Sequence, residues 1–158
     1  MCLLERVTAW DDQQIYCEAN SHRAPDNPLR AFGRLGAACG VEYAAQAMAV
    51  HGALVTEART DDTHSTSPKS GYLASIRSLT LHVQRLDQIE ELLLIHAERL
   101  SGDEHTILYR FSLHAGTALL VSGRAVVVLD AMGLPLPLST RTNPSLNPLA
   151  AITAPHNS

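Results

Sequence analysis

The sequence predicts an α+β domain in which an antiparallel sheet of about five strands wraps one long central helix. Two observations carry this. Gly36 to Thr56 (GAACGVEYAAQAMAVHGALVT) is an almost uncharged, alanine-rich stretch whose one formal charge is Glu42. After Gly71 the apolar residues instead recur at a period of two, in runs separated by short turn signals. One helix cannot cover such a sheet alone, so a second subunit is expected.

The elements follow in order. Cys2 to Trp10 is short and mostly apolar, and Asp11-Asp12 breaks it. Gln13 to Asn20 then sets Ile15, Cys17 and Ala19 against Gln14, Tyr16, Glu18 and Asn20, so the two runs read as strand–turn–strand. Ser21 to Leu35 carries two prolines, a glycine and three arginines and reads as an irregular, ordered loop. In the helix, Ala37, Ala38, Ala44, Ala45, Ala47, Ala49 and Ala53 combine high propensity with the smallest side chain bearing a Cβ. A helix apolar all round belongs inside its domain. At 1.5 Å per residue it spans about 28 Å. Glu42 and Gln46, four apart, share one face of it.

Glu57 to Gly71 is polar and expected to be a mobile loop. Tyr72 to Leu86 is a long strand, apolar at Ala74 and Ile76 on one parity and at Leu79, Leu81 and Val83 on the other. The phase slip near Arg77-Ser78 predicts a bulge. After a break at Asp87 to Glu91 come three strands: Leu92 to Leu100, Thr106 to His114, and Ala118 to Leu129. Turn signals at Ser101 to Glu104 and at Ala115-Gly116 join them as an antiparallel meander. From Gly133 onward Pro, Ser, Thr and Asn dominate. The reading is therefore a domain over residues 1–132 and a disordered or loosely docked tail over 133–158.

Composition excludes several classes. With 158 residues one domain is the natural count, and a net charge of −4 offers no electrostatic case for nucleic acid. The basic side chains are eleven arginines and one lysine, Lys69. Cys2, Cys17 and Cys39 lack paired CxxC spacing and read as reduced, packed thiols. Neither a signal peptide nor a membrane span is visible, so a soluble, cytoplasmic protein is expected. No His/Cys/Asp/Glu set has metal-ligand spacing, and neither a phosphate-binding glycine loop nor G-x-S-x-G is present, so no metal or cofactor is expected.

GVEYAAQAMAVHGAL (Gly40 to Leu54), with its E-x-x-x-Q-A segment, resembles the central helix of the hotdog-fold 3-hydroxyacyl-acyl carrier protein dehydratases. CLLERV (Cys2 to Val7) is similar to that family's first strand, and GYLASIRSLTLHVQRL (Gly71 to Leu86) to the strand after its helix. SHRAPDNPLRAFGRLGAACGVEYAAQAMA looks closer still to a bacterial branch of predicted dehydratases associated with aryl-polyene biosynthesis.

The resemblance implies chemistry at a subunit interface, on an acyl chain carried by acyl carrier protein, in fatty-acid or polyene-type biosynthesis. A histidine of one subunit acts at C2 of the 3-hydroxyacyl thioester, and the helix carboxylate of the other assists loss of the hydroxyl. A backbone N–H at the helix start binds the thioester oxygen. The matching positions are Glu42 for the acid, Gln46 beside it and Ala37 for the N–H, with Cys39, Tyr43 and Ala49 along the acyl path. The family's histidine stands in a His-x-x-Pro segment before the first strand, a position that would lie upstream of Met1. His22 is the internal histidine best placed to substitute for it, although a loop histidine beside Arg23 is more often a solvated or turn residue. Arg23, Arg30 and Arg34 are positioned to receive an acidic carrier protein, or equally to form a solvated loop.

Glu42 has a second reading, as a buried acid paired with one of those arginines; the motif favours the functional one. His51 and His82 read as satisfied core or sheet-face histidines. The assembly is expected to be a homodimer, with a heterodimer of two hotdog subunits open. Two rival activities also stay open: an acyl thioesterase on the same fold, and a non-catalytic carrier-binding subunit that supports an active partner.

Overall fold

The computed structural model describes residues 1–59 and 70–130, with no statement on the Asp130 side chain. Of the loop expected over Glu57 to Gly71, residues 60–69 lie outside the described residues, as does the tail at 133–158; Glu57 to Arg59 instead continue the helix, and Ser70 and Gly71 open a strand. The elements are β1 (Arg6–Trp10), β2 (Gln14–Ala19), α1 (Gly40–Arg59), β3 (Ser70–Leu81), β4 (Leu93–Gly102), β5 (Thr106–Ala115) and β6 (Ala118–Asp130). Short 3-10 turns stand at Ser21–Arg23 and Ala37–Cys39. Among the described residues the sheet has six strands, matching the six runs read along the sequence as a sheet of about five, in the order β1-β2-β4-β5-β6-β3. All pairings are antiparallel. The three strands after the break form the expected meander, while β3 pairs with β6 and, among the described residues, has no strand on its other edge. No helix among the described residues is long and apolar enough to cross a membrane.

α1 lies across one face of this sheet. It buries Gly40, Tyr43, Ala44, Ala47, Met48, His51 and Val55, a stripe at helical spacing. It meets Ile107, Tyr109, Phe111 and Leu113, the inward parity of β5. Gly40 permits the closest approach: a Cβ there would lie 3.0 Å from Leu113 Cδ2 and 3.2 Å from Val121 Cγ2. The helix is therefore not enclosed all round, as its composition implied. Ala38, Ala49 and Ala53 are exposed, because one chain supplies only one sheet face to pack against.

Other departures have local causes. The α-helical hydrogen bonds begin at Gly40 rather than Gly36, since Ala37–Cys39 is wound as a 3-10 turn. β1 starts at Arg6 and is exposed throughout, whereas Leu3, ahead of it, is buried. β3 ends at Leu81 because the chain turns from the sheet to the helix approach. There Gly36 bridges Arg85, Ala37 donates to Gln84 O (3.0 Å) and Leu86 to Leu35 O (2.8 Å). The bulge read from the phase slip is present: pairing shifts between Arg77 and Thr80, with Ser78 at φ 53°. Of the thiols, Cys17 is buried and pushed up to about 11 by burial, Cys39 is half-buried, and Cys2 is exposed rather than packed.

His51 is the satisfied core histidine that its place on α1 implied. Its Nε2 lies 2.7 Å from Asp11 O, so that nitrogen carries the proton. Nδ1 then accepts from Tyr109 Oη at 2.9 Å. One ring thus ties the helix both to β5 and to the β1–β2 turn. His82, by contrast, is exposed.

Candidate functional site

The side of α1 turned away from the sheet carries Glu42, Gln46 and Ala49, one turn after another. Gln46 is the hub. Its Oε1 accepts from Leu3 N at 2.8 Å, and its Nε2 donates to Met1 O at 3.2 Å and to Glu42 Oε1 at 3.4 Å. The amide thereby pins the segment before β1 against the helix. Between them lies an open, largely apolar groove of about 350 Å³, whose walls include Met1, Leu4, Val7, Gln46, Ala49 and Val50. Glu42 is half-buried beyond the Gln46 end, and among the described residues it pairs with no arginine.

The other expected site residues are not brought to this groove. Tyr43, one residue from Glu42 and so about 100° around the helix, is wholly buried. Its hydroxyl lies 2.8 Å from Ser21 Oγ and accepts from Asn27 Nδ2 at 3.1 Å. Since Ser21 Oγ donates to Leu3 O (2.7 Å), the tyrosine must be the donor to Ser21. Burial raises the Tyr43 hydroxyl above its usual range. Cys39 is half-buried with Sγ 3.8 Å from Leu29 O. Ala37 does not offer its N–H to a ligand, because that proton goes to Gln84 O at 3.0 Å.

The loop before the helix is ordered by Arg30. Its guanidinium donates to Ala24 O (2.8 Å), Gly33 O (3.1 Å), Arg23 O (3.1 Å) and His22 O (3.4 Å), and lies 3.8 Å from Asp87. It is consumed in the loop rather than presented to a partner, whereas Arg23 and Arg34 are exposed. Asp87 anchors the same structure from 52 residues further along the chain, accepting from Leu35 N at 3.0 Å and from Arg85 Nε at 3.1 Å. The Arg85 guanidinium holds the Asp87 carboxyl far below the usual carboxylate range.

Two residues of this loop stand otherwise than the sequence implied: His22, which as a loop histidine was expected to be solvated or turn-forming, and Phe32, which the sequence did not single out. His22 is wholly buried; its Nε2 lies 3.0 Å from Ile89 O, so it bears the proton and Nδ1 keeps a lone pair. That Nδ1 is the one buried side-chain nitrogen or oxygen without a hydrogen-bond partner among the described residues. Burial lowers the ring's proton affinity and keeps it neutral. Phe32 is fully exposed at the tip of a tight turn, at φ 53° before Gly33 at φ 71°. Ala31 and Arg34 close the turn with reciprocal backbone bonds of 2.9 and 3.0 Å. Positive φ at both central positions is the type I′ geometry, for which phenylalanine is a strained choice.

The sequence matches the profile of the ApeP-like family, ApeP dehydratase, over residues 1–132. The chain belongs to the ApeP-like dehydratase family. Among solved structures it is similar to the dehydratase heterocomplex ApeI:P from Xenorhabdus doucetiae, with a TM-score of 0.71 and 23% identity, covering 82% of this chain and 83% of that one. A mutant thioesterase from Pseudomonas aeruginosa aligns with a TM-score of 0.57 and 14% identity, over 80% and 81% of the two chains. A Haemophilus influenzae thioesterase gives 0.56 and 11%, over 79% and 77%. These likenesses show the fold: the six-stranded sheet and its single long helix are a hotdog domain. Curated protein sequences contain no match.

Proposed function

We propose that the chain removes water from a 3-hydroxyacyl thioester held on acyl carrier protein, giving the trans-2-enoyl thioester. Membership of a dehydratase family supports the reaction class. The observation that carries the site is the half-open stripe Glu42–Gln46–Ala49 beside an apolar groove. A carboxylate next to an acyl-sized apolar channel is the arrangement that this elimination needs. In the proposed step a base takes the C2 proton, the C2=C3 bond forms, the C3–O bond breaks, and Glu42 protonates the departing hydroxyl as water.

The base is expected from a second subunit, as the family resemblance implies, since no described histidine lines the groove and His22 is wholly buried away from it. The thioester oxygen then needs a donor at the helix start. With Ala37 committed to Gln84 and Cys39 N to Gly36 O, we assign that role to the N–H of Ala38, an exposed residue. Arg23, Arg34 and the projecting Phe32 form the surface we assign to the carrier protein. The open helix flank and the free β3 edge are the surfaces for a second hotdog subunit.

The test is an assay of the purified protein with 3-hydroxyacyl and saturated acyl carrier thioesters. Enoyl product without free thiol supports the dehydratase; free thiol from either substrate identifies a thioesterase, the activity named for two of the structural neighbours. A second reading is favoured by the heterocomplex among those neighbours: this chain could bind carrier and support an active partner. It predicts carrier binding without turnover until a second hotdog subunit is co-expressed.

A further inference from the structure

The face of the sheet opposite α1 carries a second constellation, unrelated to the groove on the helix. Strand register places Glu98 opposite Arg110, Arg110 opposite Arg124, and Arg124 opposite Arg77. Directly opposed residues point to one face, and neighbouring strands lie about 4.8 Å apart. Three arginines therefore cross β5, β6 and β3 in a row about 10 Å long. On β5 the alternation confirms the direction, since Tyr109 and Phe111 are buried while Arg110 between them is exposed. The adjacent row sets His96 opposite Ser112, Ser112 opposite Ser122, and Ser122 opposite Thr80.

Such a row opposes the protein's own stability, because like charges directly across a ladder repel. Among the described residues only Glu98 offsets it, with an oxygen 3.5 Å from Arg110 Nη1, and both side chains are well exposed, which makes the pair weak. Arg77 and Arg124 have no ion pair among the described residues. In a chain of net charge −4 this is a local concentration of the minority sign.

The row borders a groove of about 320 Å³ whose walls include Ser78, Arg110, Ser112, His114, Ser122 and Arg124, and no carboxylate. One wall is the β3 bulge, where Ser78 adopts its left-handed backbone. Ser112 and Ser122 are half-buried in the walls of this groove, whose volume suits a small ligand. We propose that this groove binds the phosphate group of a soluble small molecule. Arg110 and Arg124 would offer guanidinium forks from adjacent strands, with the serine hydroxyls completing the oxyanion shell. The assignment rests on register and groove chemistry and is independent of the dehydration reading.

Titration of the full chain with inorganic pyrophosphate, in chloride buffers of matched ionic strength, tests it by calorimetry and by Tm. Saturable binding that raises Tm is expected. Arg124→Gln should weaken it about tenfold or more, through loss of a charge-assisted fork. The same substitution should raise the Tm of the ligand-free protein, because it relieves the arginine row. Ser122→Ala gives a second variant, with a smaller loss of affinity and an unchanged fold. A Tm response no greater than that to chloride, or equal binding by wild type and Arg124→Gln, overturns the proposal. So does retention only on an acidic protein or an anionic vesicle, with no pyrophosphate binding.

Discussion

Glu42 and His22 differ in how the chain holds them, and their variants should differ accordingly. Glu42 is half-buried, and among the described residues its side-chain hydrogen bond is to Gln46, so Glu42→Gln removes a reacting group without opening the core. Turnover should fall by roughly 10²–10⁴-fold while the circular dichroism spectrum and Tm are kept; full activity would remove Glu42 from the reaction. His22→Asn instead removes a buried ring away from the groove, and its signature is in stability. The folded ring has a depressed pKa, while in the unfolded chain it titrates near 6.5. Its contribution to stability is thus complete above that value and is lost as pH falls below it. The slope is at most about 1.4 kcal/mol per pH unit. Denaturant midpoints measured from pH 7 to 5 should decline in the wild type and decline less in His22→Asn. His96, also lowered by burial, leaves a residual slope. Phe32 should behave oppositely to a core aromatic. Phe32→Gly relieves a strained φ and leaves stability equal or higher, yet it should raise KM for the carrier-bound substrate without a matching fall in kcat.

Elements in this fold are joined by a few long-range anchors, and Asp87 is one of them. Its carboxylate receives Leu35 N–H and the Arg85 guanidinium and faces Arg30, holding the helix approach against the turn after β3. Asp87→Asn should cost about 1–3 kcal/mol by leaving the donors around it poorly satisfied, read as a lower urea midpoint at neutral pH. The folded carboxyl is depressed below an ordinary value of 3.8, so this stabilisation is present above that pH and vanishes only in stronger acid. Wild type and variant should converge there. Helix and sheet are legible in the sequence to within a few residues, since alanine runs and period-two alternation are properties of neighbouring residues. The end of β3 was not. Whether Val83 to Leu86 pairs with the sheet or with Leu35 to Ala37 depends on contacts made by a segment some 50 residues earlier.

For the whole molecule, the decisive feature is what one chain leaves uncovered. β3 is a twelve-residue edge strand with Tyr72, Leu73, Leu79 and Leu81 about 40% exposed, and long apolar edges invite pairing. The open alanine flank of α1 points to the same need. Leu79→Lys with Leu81→Lys should convert a dimer to monomer in size-exclusion chromatography with light scattering. A monomeric wild type, or a dimer that survives both charges, would place the subunit contact elsewhere.

What the sequence determined by itself was the architecture and the identity of one helix face. A single acid and an amide four residues apart among alanines could share only one stripe, and that spacing is independent of everything else in the chain. Tertiary structure alone decided which neighbours that stripe meets. It turned Tyr43 inward to Ser21 and Asn27, spent the Ala37 N–H on Gln84, and left one nitrogen of His22 buried without a partner. Those outcomes depend on contacts between segments distant in sequence. Periodicity reports which way a side chain faces, but not what stands opposite it.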